Sequence, residues 1–126
     1  MSNYSLTGHV ALVTGSSKGL GASIVRNLAT AGASVVVNAF NNVERAQEIA
    51  DEITEGGGKA IAVGADVTKS DEITALVEET ASRLGPIDIV VPNATGPQPL
   101  KPIEEYDESF YQEMYEFFVK SPFLLA

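Results

Sequence analysis

A glycine-rich octet between a short apolar run and a helical pattern constrains the fold more than any other feature of this chain. The octet reads Thr14-Gly15-Ser16-Ser17-Lys18-Gly19-Leu20-Gly21. The apolar run at 9–14 before it is typical of a strand buried on both faces of a parallel sheet. After the octet, apolar residues recur at helical spacing until Gly32, so a helix is predicted over about 19–31.

A strand-to-helix turn of this composition can hold a phosphate. Glycine permits positive φ and lets a pyrophosphate approach the backbone, and the start of the following helix offers free N–H groups and a positive dipole end. The spacing G-x-x-x-G-x-G is not that of the phosphate loop of kinases and GTPases, which excludes those classes. The candidate residues of the turn are Gly15, Ser17, Lys18, Gly19, Leu20 and Gly21. The same glycines also fit a purely structural turn.

Strand and helix patterns alternate along the next part of the chain. Further strands are predicted over 33–38, 59–64 and 87–91, and the helices between them begin at Asn41 or Asn42 and at Ser70 as N-caps. This alternation predicts the α/β class, with a parallel sheet covered by helices on both faces. No repeat, low-complexity tract or linker interrupts the pattern, so we expect residues 1–126 to form one domain.

The last part of the chain has a different character. Residues 106–126 contain seven of the nine aromatic residues, and six acids with no base lie from Glu104 to Glu116. One predicted helical stripe contains Phe110, Met114, Phe117, Ser121 and Leu124. A second contains Tyr111, Tyr115, Phe118 and Pro122. Such a wide apolar arc predicts burial against the sheet and against a partner, and Pro122 predicts a kink or a new start of the helix.

Composition excludes several classes of function. The chain has no cysteine, which excludes disulfides, thiolate zinc sites and cysteine nucleophiles. A net charge of −9 argues against nucleic acid or an anionic membrane as a partner. No apolar run approaches the roughly 20 residues of a membrane span, and no targeting pattern stands near Met1, so we expect a cytoplasmic protein.

Three segments, each after a predicted strand, together resemble the classical short-chain dehydrogenase/reductase family over the whole chain. They are the octet, Asp66-Val67, and Val91-Pro92-Asn93-Ala94-Thr95. The resemblance implies a Rossmann-like, doubly wound sheet of about four strands in the order 3-2-1-4, with a dinucleotide across the carboxyl ends of the strands. It implies that Asp66 and Val67 contact adenine and that Asn93, Ala94 and Thr95 border the cofactor. Alternatively, Asp66 caps its own loop and Asn93 braces its loop.

The end of the second predicted strand indicates which dinucleotide is preferred. An NAD site places an acid there to accept a hydrogen bond from the ribose 2′-OH. This chain has Asn38, counted among the cofactor-binding candidates, and the nearest acid is Glu44. Lys18 could attract a 2′-phosphate, and Arg45 is a weaker candidate for that role. The pattern therefore favours NADP over NAD.

The catalytic groups that the resemblance implies are missing from the sequence. In that family a tyrosine acts as acid and base, a lysine lowers its pKa, and a serine holds the substrate oxygen. No tyrosine of this chain is followed four positions later by lysine. Phe118 stands where the resemblance places asparagine, and Pro92 and Thr95 replace the usual asparagine and glycine. His9 is disfavoured as a base because it stands at the start of the first strand, at the end of the sheet opposite the cofactor-binding edge.

Three hypotheses about function remain. The chain is an NADP(H)-binding half that cannot transfer hydride by itself and forms a homo-oligomer through its last helix, the open edge of the fourth strand, or both. Alternatively, it is the N-terminal part of an active NADP-dependent carbonyl oxidoreductase. The third hypothesis is an oligomerising module that does not bind nucleotide. The sequence gives no indication of a substrate.

Overall fold

The computed structural model describes residues 5–94 and 102–126, so Thr95 lies outside the described residues. The elements of the first part are β1 (Val10–Val13), α1 (Gly19–Thr30), β2 (Ser34–Ala39), α2 (Val43–Glu55), β3 (Lys59–Gly64), α3 (Ser70–Arg83) and β4 (Ile89–Val91). After a 3-10 turn at Ile103–Glu105 come α4 (Glu108–Tyr115), a π-helical turn (Glu116–Lys120) and α5 (Ser121–Leu125). The four strands form one parallel sheet in the order β3-β2-β1-β4, which confirms the predicted Rossmann-like class and strand order.

Helices cover both faces of the sheet, as predicted. Because side chains alternate along a strand, Val13 and Val35 belong to the core packed by α1 and α2. Leu12 and Val36 point to the other face, where Leu76 of α3 shares their cluster. The strands are therefore apolar at consecutive positions, which is the pattern expected of a sheet buried on both sides.

The helix starts agree with the sequence in one case and differ in another. Asn42 caps α2 by accepting a hydrogen bond from the Arg45 N–H at 3.3 Å, as one of the two predicted caps. Ser70 is not the cap of α3. The carbonyl oxygen of Lys69 already accepts from Ile73 N at 3.0 Å, so Lys69 is the capping position and Ser70 the first helical residue.

A new α-helix, α5, starts at Ser121 with Pro122 in its first turn, which agrees with the new start predicted at Pro122. Proline has no N–H to donate to the carbonyl four residues earlier, and the π-helical turn at Glu116–Lys120 lies directly before α5. Of the two predicted stripes, the first contains buried Ser121 and half-buried Phe117, whereas Tyr111 and Phe118 of the second are 65% and 52% exposed. Within the described residues, no helix has the length and apolarity needed to cross a bilayer.

Candidate functional site

The carboxyl ends of the strands open into a cleft of about 780 Å³. A doubly wound sheet binds ligands at this edge because the strand order reverses there and leaves a crevice. The structure brings eleven of the twelve candidate residues to the cleft lining. They are Gly15, Ser17, Lys18, Gly19, Leu20, Gly21, Asn38, Asp66, Val67, Asn93 and Ala94. The twelfth, Thr95, lies outside the described residues.

Two glycines of the turn have no room for a side chain. Gly15 has φ of 62°, and a Cβ built on it would lie 2.9 Å from the Cα of Ala94. A Cβ on Gly21 would lie 2.5 Å from the side-chain nitrogen of Asn93 and 2.5 Å from the carbonyl oxygen of Gly15. The turn therefore packs against the loop after β4 at a distance that only glycine allows.

The N-terminus of α1 meets the cleft without a cap. Lys18, at the capping position, makes no side-chain capping bond, and the first turn holds no acid. The N-terminus of α2, by contrast, is capped by Asn42 and carries Glu44 in its first turn. Free N–H groups at a helix start carry a partial positive charge that attracts anions. The first turn of α1 is thus available to an anionic ligand, and its residues Gly19 and Leu20 line the cleft.

A buried hydroxyl joins the turn to the loop after β4. Thr14 is 1% exposed, and its Oγ1 accepts from the backbone N–H groups of Asn93 and Ala94, both at 2.9 Å. In return, Nδ2 of Asn93 donates to the carbonyl oxygens of Thr14 and Gly15, at 3.0 and 3.2 Å. Asn93 therefore braces its loop, which was the structural alternative, and it also lines the cleft.

The side chain of Asp66 braces its own loop from the cleft wall. Its Oδ1 accepts from the backbone N–H of Thr68 at 2.9 Å and from the Thr68 hydroxyl at 2.6 Å. Its backbone N–H donates to Oε1 of Glu72 at 2.9 Å, which fixes the loop to α3. Asp66 therefore caps its own loop, which was the structural alternative, and it also lines the cleft together with Val67.

The charge of the cleft differs from that of the chain. The chain as a whole carries −9, whereas the charged residues that residues 5–94 and 102–126 contribute to the cleft lining are one lysine, Lys18, and one acid, Asp66. Lys18 is exposed and directly precedes the free start of α1. In a strongly acidic protein, the described part of the cleft lining is therefore formally neutral, and its glycine turn favours anions.

Sequence reasoning missed several residues of the cleft lining. They are Phe40, Asn41, Asn42, Ala65 and Phe117. The first three come directly after β2, and their position after a strand end was the signal that could have found them. The sequence singled out Phe118 in the last helix, but the structure places its neighbour Phe117 in the cleft lining.

His9 lies at the opposite end of the sheet, as predicted, and its partner is an acid there. Its Nδ1 is 2.7 Å from Oδ2 of Asp88, and Oδ1 of Asp88 accepts from the Val10 N–H at 2.8 Å. The hydrogen bond from Val10, followed by that from His9, lowers the pKa of the Asp88 carboxyl below its usual value of 3.8. The pair joins the amino ends of β1 and β4 and takes no part in the cleft.

Comparison with known proteins agrees with this geometry. The family model of the short chain dehydrogenases matches residues 9–126. The hydroxynaphthalene reductase-like protein of Metarhizium robertsii is 45% identical over 123 residues, a match that covers 97% of this chain and 45% of that relative.

Solved structures show the same likeness with either dinucleotide bound. A metagenomic short-chain oxidoreductase in complex with NADP is 34% identical, with a TM-score of 0.84 over 95% of this chain and 54% of that one. A 7α-hydroxysteroid dehydrogenase complexed with NADH and 7-oxo glycochenodeoxycholic acid is 40% identical, with a TM-score of 0.88 over 96% and 46%. The chain spans about half the length of these proteins, and it belongs to the short-chain dehydrogenase family.

Proposed function

We propose that this chain binds NADP(H) in the cleft at the carboxyl ends of its strands. The observation that carries the proposal is the uncapped, acid-free start of α1 behind the glycine turn, which is suited to a pyrophosphate. The loop containing Asp66 and Val67 borders the same cleft and would receive the adenine. Asn93 and Ala94 would lie along the remaining ribose and nicotinamide portion.

The residues after β2 support a preference for NADP over NAD. No acid stands there to accept from a ribose 2′-OH, since the cleft residues after β2 are Phe40, Asn41 and Asn42. Lys18 is exposed in the lining, while Arg45 is engaged with Oε2 of Glu48 at 2.9 Å. Lys18 is therefore the stronger candidate for a 2′-phosphate.

Isothermal calorimetry with NADPH, NADH and AMP tests both parts of the proposal. We expect NADPH to bind about tenfold more tightly than NADH, the difference that one charge-assisted contact to the 2′-phosphate supplies. AMP should bind more weakly than either, because it lacks the pyrophosphate. Equal affinity for NADPH and NADH would contradict the NADP preference. Absence of binding by all three would leave the oligomerising module as the remaining hypothesis.

We propose that the chain by itself does not transfer hydride. The sequence contains no tyrosine followed four positions later by lysine, and the relatives that it matches are about twice as long. As part of a longer carbonyl oxidoreductase, these residues would supply the cofactor half of the site. The absorbance of NADPH at 340 nm in the presence of a panel of carbonyl compounds tests this, and any protein-dependent oxidation would overturn it.

We also propose that the chain associates with a second copy of itself. The exposed aromatic side chains Tyr111 and Tyr115 of α4 and Phe118 of the following π-helical turn supply an apolar surface, and β4 is an edge strand of the sheet in the described residues, with Val90 37% exposed. Exposed apolar stripes and strand edges are surfaces that proteins usually cover. Light scattering at micromolar concentration measures the mass, and a monodisperse monomer would overturn this part of the proposal.

A further inference from the structure

We propose that Asn38 is a positioning residue. It holds the glycine turn and the loop after β3 in fixed positions relative to each other, so that both can contact one dinucleotide. This inference rests on the proposed function, because the two segments are the ones assigned above to the pyrophosphate and the adenine. It differs from a direct contact between Asn38 and the cofactor, since Asn38 would act through the backbone of its neighbours.

The contacts of Asn38 reach both segments. Its Oδ1 accepts from the N–H of Gly15 at 2.9 Å, in the glycine turn. Its Nδ2 donates to the carbonyl oxygens of Val63 at 3.1 Å and Ala65 at 3.4 Å, at the end of β3 and in the loop beyond it. The backbone of Asn38 adds two bonds to Ser16, donating to Oγ at 2.9 Å and accepting from N–H at 2.9 Å. One residue thus ties the turn after β1 to the loop after β3.

Burial leaves the Asn38 side chain little capacity for a ligand. The residue is 1% exposed, although it contributes to the cleft lining. A carboxamide has one acceptor oxygen and two donor hydrogens, and those of Asn38 are directed to Gly15, Val63 and Ala65. Of these partners, Gly15 and Ala65 themselves line the cleft. A change at Asn38 would therefore reach the ligand through them.

The position in the sheet explains why an asparagine suits this role. β2 lies between β1 and β3, and Asn38 is paired with Val63 near the carboxyl end of the ladder. A bridge from there must accept from an N–H on one side and donate to carbonyls on the other. An ionised aspartate has no donor and an aliphatic side chain has neither group, so the carboxamide is the fitting choice.

The test compares a whole ligand with its two parts. NADP⁺, inorganic pyrophosphate and adenosine are titrated by calorimetry into the full chain and into Asn38→Ala. We expect NADP⁺ to bind at least about tenfold more weakly to the variant, the cost of losing one buried hydrogen-bonding group, while pyrophosphate and adenosine each change less than about threefold. Thr80→Val is the matched control, because Thr80 is also fully buried but its hydroxyl bonds within α3, to the Leu76 carbonyl. The Thr80→Val variant should bind NADP⁺ with the affinity of the wild type.

A second variant covers the case in which Asn38→Ala does not fold. The protonated carboxyl of Asn38→Asp can donate to one carbonyl and accept from Gly15, whereas the carboxylate can only accept. Burial raises the pKa of such a carboxyl, so we expect the affinity of Asn38→Asp for NADP⁺ to rise as the pH falls from 8 to 6. Affinity that parallels the wild type across this range would overturn the proposal.

Two other outcomes would also be decisive. If Asn38→Ala binds NADP⁺ like the wild type, or if pyrophosphate alone loses as much affinity as NADP⁺, the coupling role is wrong. If the wild type binds no dinucleotide, the proposed function fails instead. Hydrogen exchange then tests the coupling without a ligand: exchange of the Gly15 amide should be at least about tenfold faster in Asn38→Ala. An unchanged exchange rate would overturn it.

Discussion

The side-chain nitrogen of Asn93 occupies the space that a Cβ on Gly21 would need. The two would be 2.5 Å apart, and the same Cβ would meet the carbonyl oxygen of Gly15 at 2.5 Å. Asn93 is held in place by its bonds to the carbonyl oxygens of Thr14 and Gly15. The start of α1, the glycine turn and the loop after β4 therefore meet at a position that tolerates no side chain.

Gly21→Ala should lower both stability and nucleotide affinity. The methyl group must displace both the Asn93 side chain and the Gly15 backbone, which costs about 1–3 kcal/mol for overpacking. We expect a lower Tm in calorimetric scans and at least about tenfold weaker NADP⁺ binding, since the turn shifts. Gly56→Ala is the control, because the nearest atoms to a Cβ there are at 3.5 Å and φ is −80°. An unchanged Tm for Gly21→Ala would show that the contact relaxes freely.

Thr14→Val should destabilise the fold more than Thr14→Ser. Valine keeps the shape but removes the oxygen that accepts from the N–H groups of Asn93 and Ala94, leaving two part-buried donors without this acceptor, at a cost of about 1 kcal/mol. Serine keeps the hydroxyl and loses only a methyl group. Urea unfolding measures the free energy of each variant, and equal losses for valine and serine would assign the effect to packing rather than to the hydrogen bonds.

Cofactor preference should respond to single charges at the cleft. Phe40→Asp places an acid after β2 on an exposed residue of the lining, and it should shift the ratio of NADPH to NADH affinity towards NADH by about tenfold. Lys18→Ala should weaken NADPH and leave NADH unchanged, because only NADPH carries the 2′-phosphate. Lys59→Ala removes the same charge at the start of β3, outside the lining, and serves as the control. Parallel losses for both cofactors in Lys18→Ala would contradict the assigned role.

Acid should weaken the junction between β1 and β4. The folded-state pKa of Asp88 lies below its ordinary value of 3.8, so its stabilising contribution is present above about pH 4 and is lost as the pH falls through the lowered pKa. We expect Asp88→Asn to be less stable than the wild type at pH 7, and the difference to shrink towards pH 3. Thermal melts at both pH values measure this. Asp51→Asn, which changes an exposed aspartate on α2, is the control, and a difference as large at pH 3 as at pH 7 would exclude the ionic origin.

The sequence predicted the cleft because its signals lie where parallel strands end. Glycines after β1, Asp66 after β3 and Asn93 after β4 must lie at one edge of the sheet once the strands are parallel. The strand direction alone was therefore enough to predict that these residues come together. Asn38 shows the limit of that reasoning. Its role in binding the cofactor stays a prediction: the residue contributes to the cleft lining, but the pairing of β2 on both sides buries it, and burial depends on tertiary packing.

The last helix shows a second limit. A regular period of 3.6 residues cannot anticipate the π-helical turn at Glu116–Lys120, which changes the angular position of every later side chain. The same holds for Ser70, whose residue type is typical of an N-cap although Lys69 occupies the capping position and Ser70 is the first residue of α3. In both cases the residue types alone do not fix the position of the helical boundary.

Self-association should depend on the exposed stripe of the last helix. Tyr111 and Tyr115 lie with ring centroids 6.3 Å apart, and Phe118 extends their surface. Replacing Tyr111 and Phe118 by serine removes apolar area that only a partner would bury. We therefore expect the dimer dissociation constant of the double variant to rise at least about tenfold. The Tm of the monomer should not fall, because these side chains are exposed in it. Val77→Ser is the control, because Val77 is a comparably exposed apolar residue on α3. Light scattering across a concentration series measures the constants, and equal constants for the double variant and Val77→Ser would assign association to another surface, with the edge of β4 the next to test.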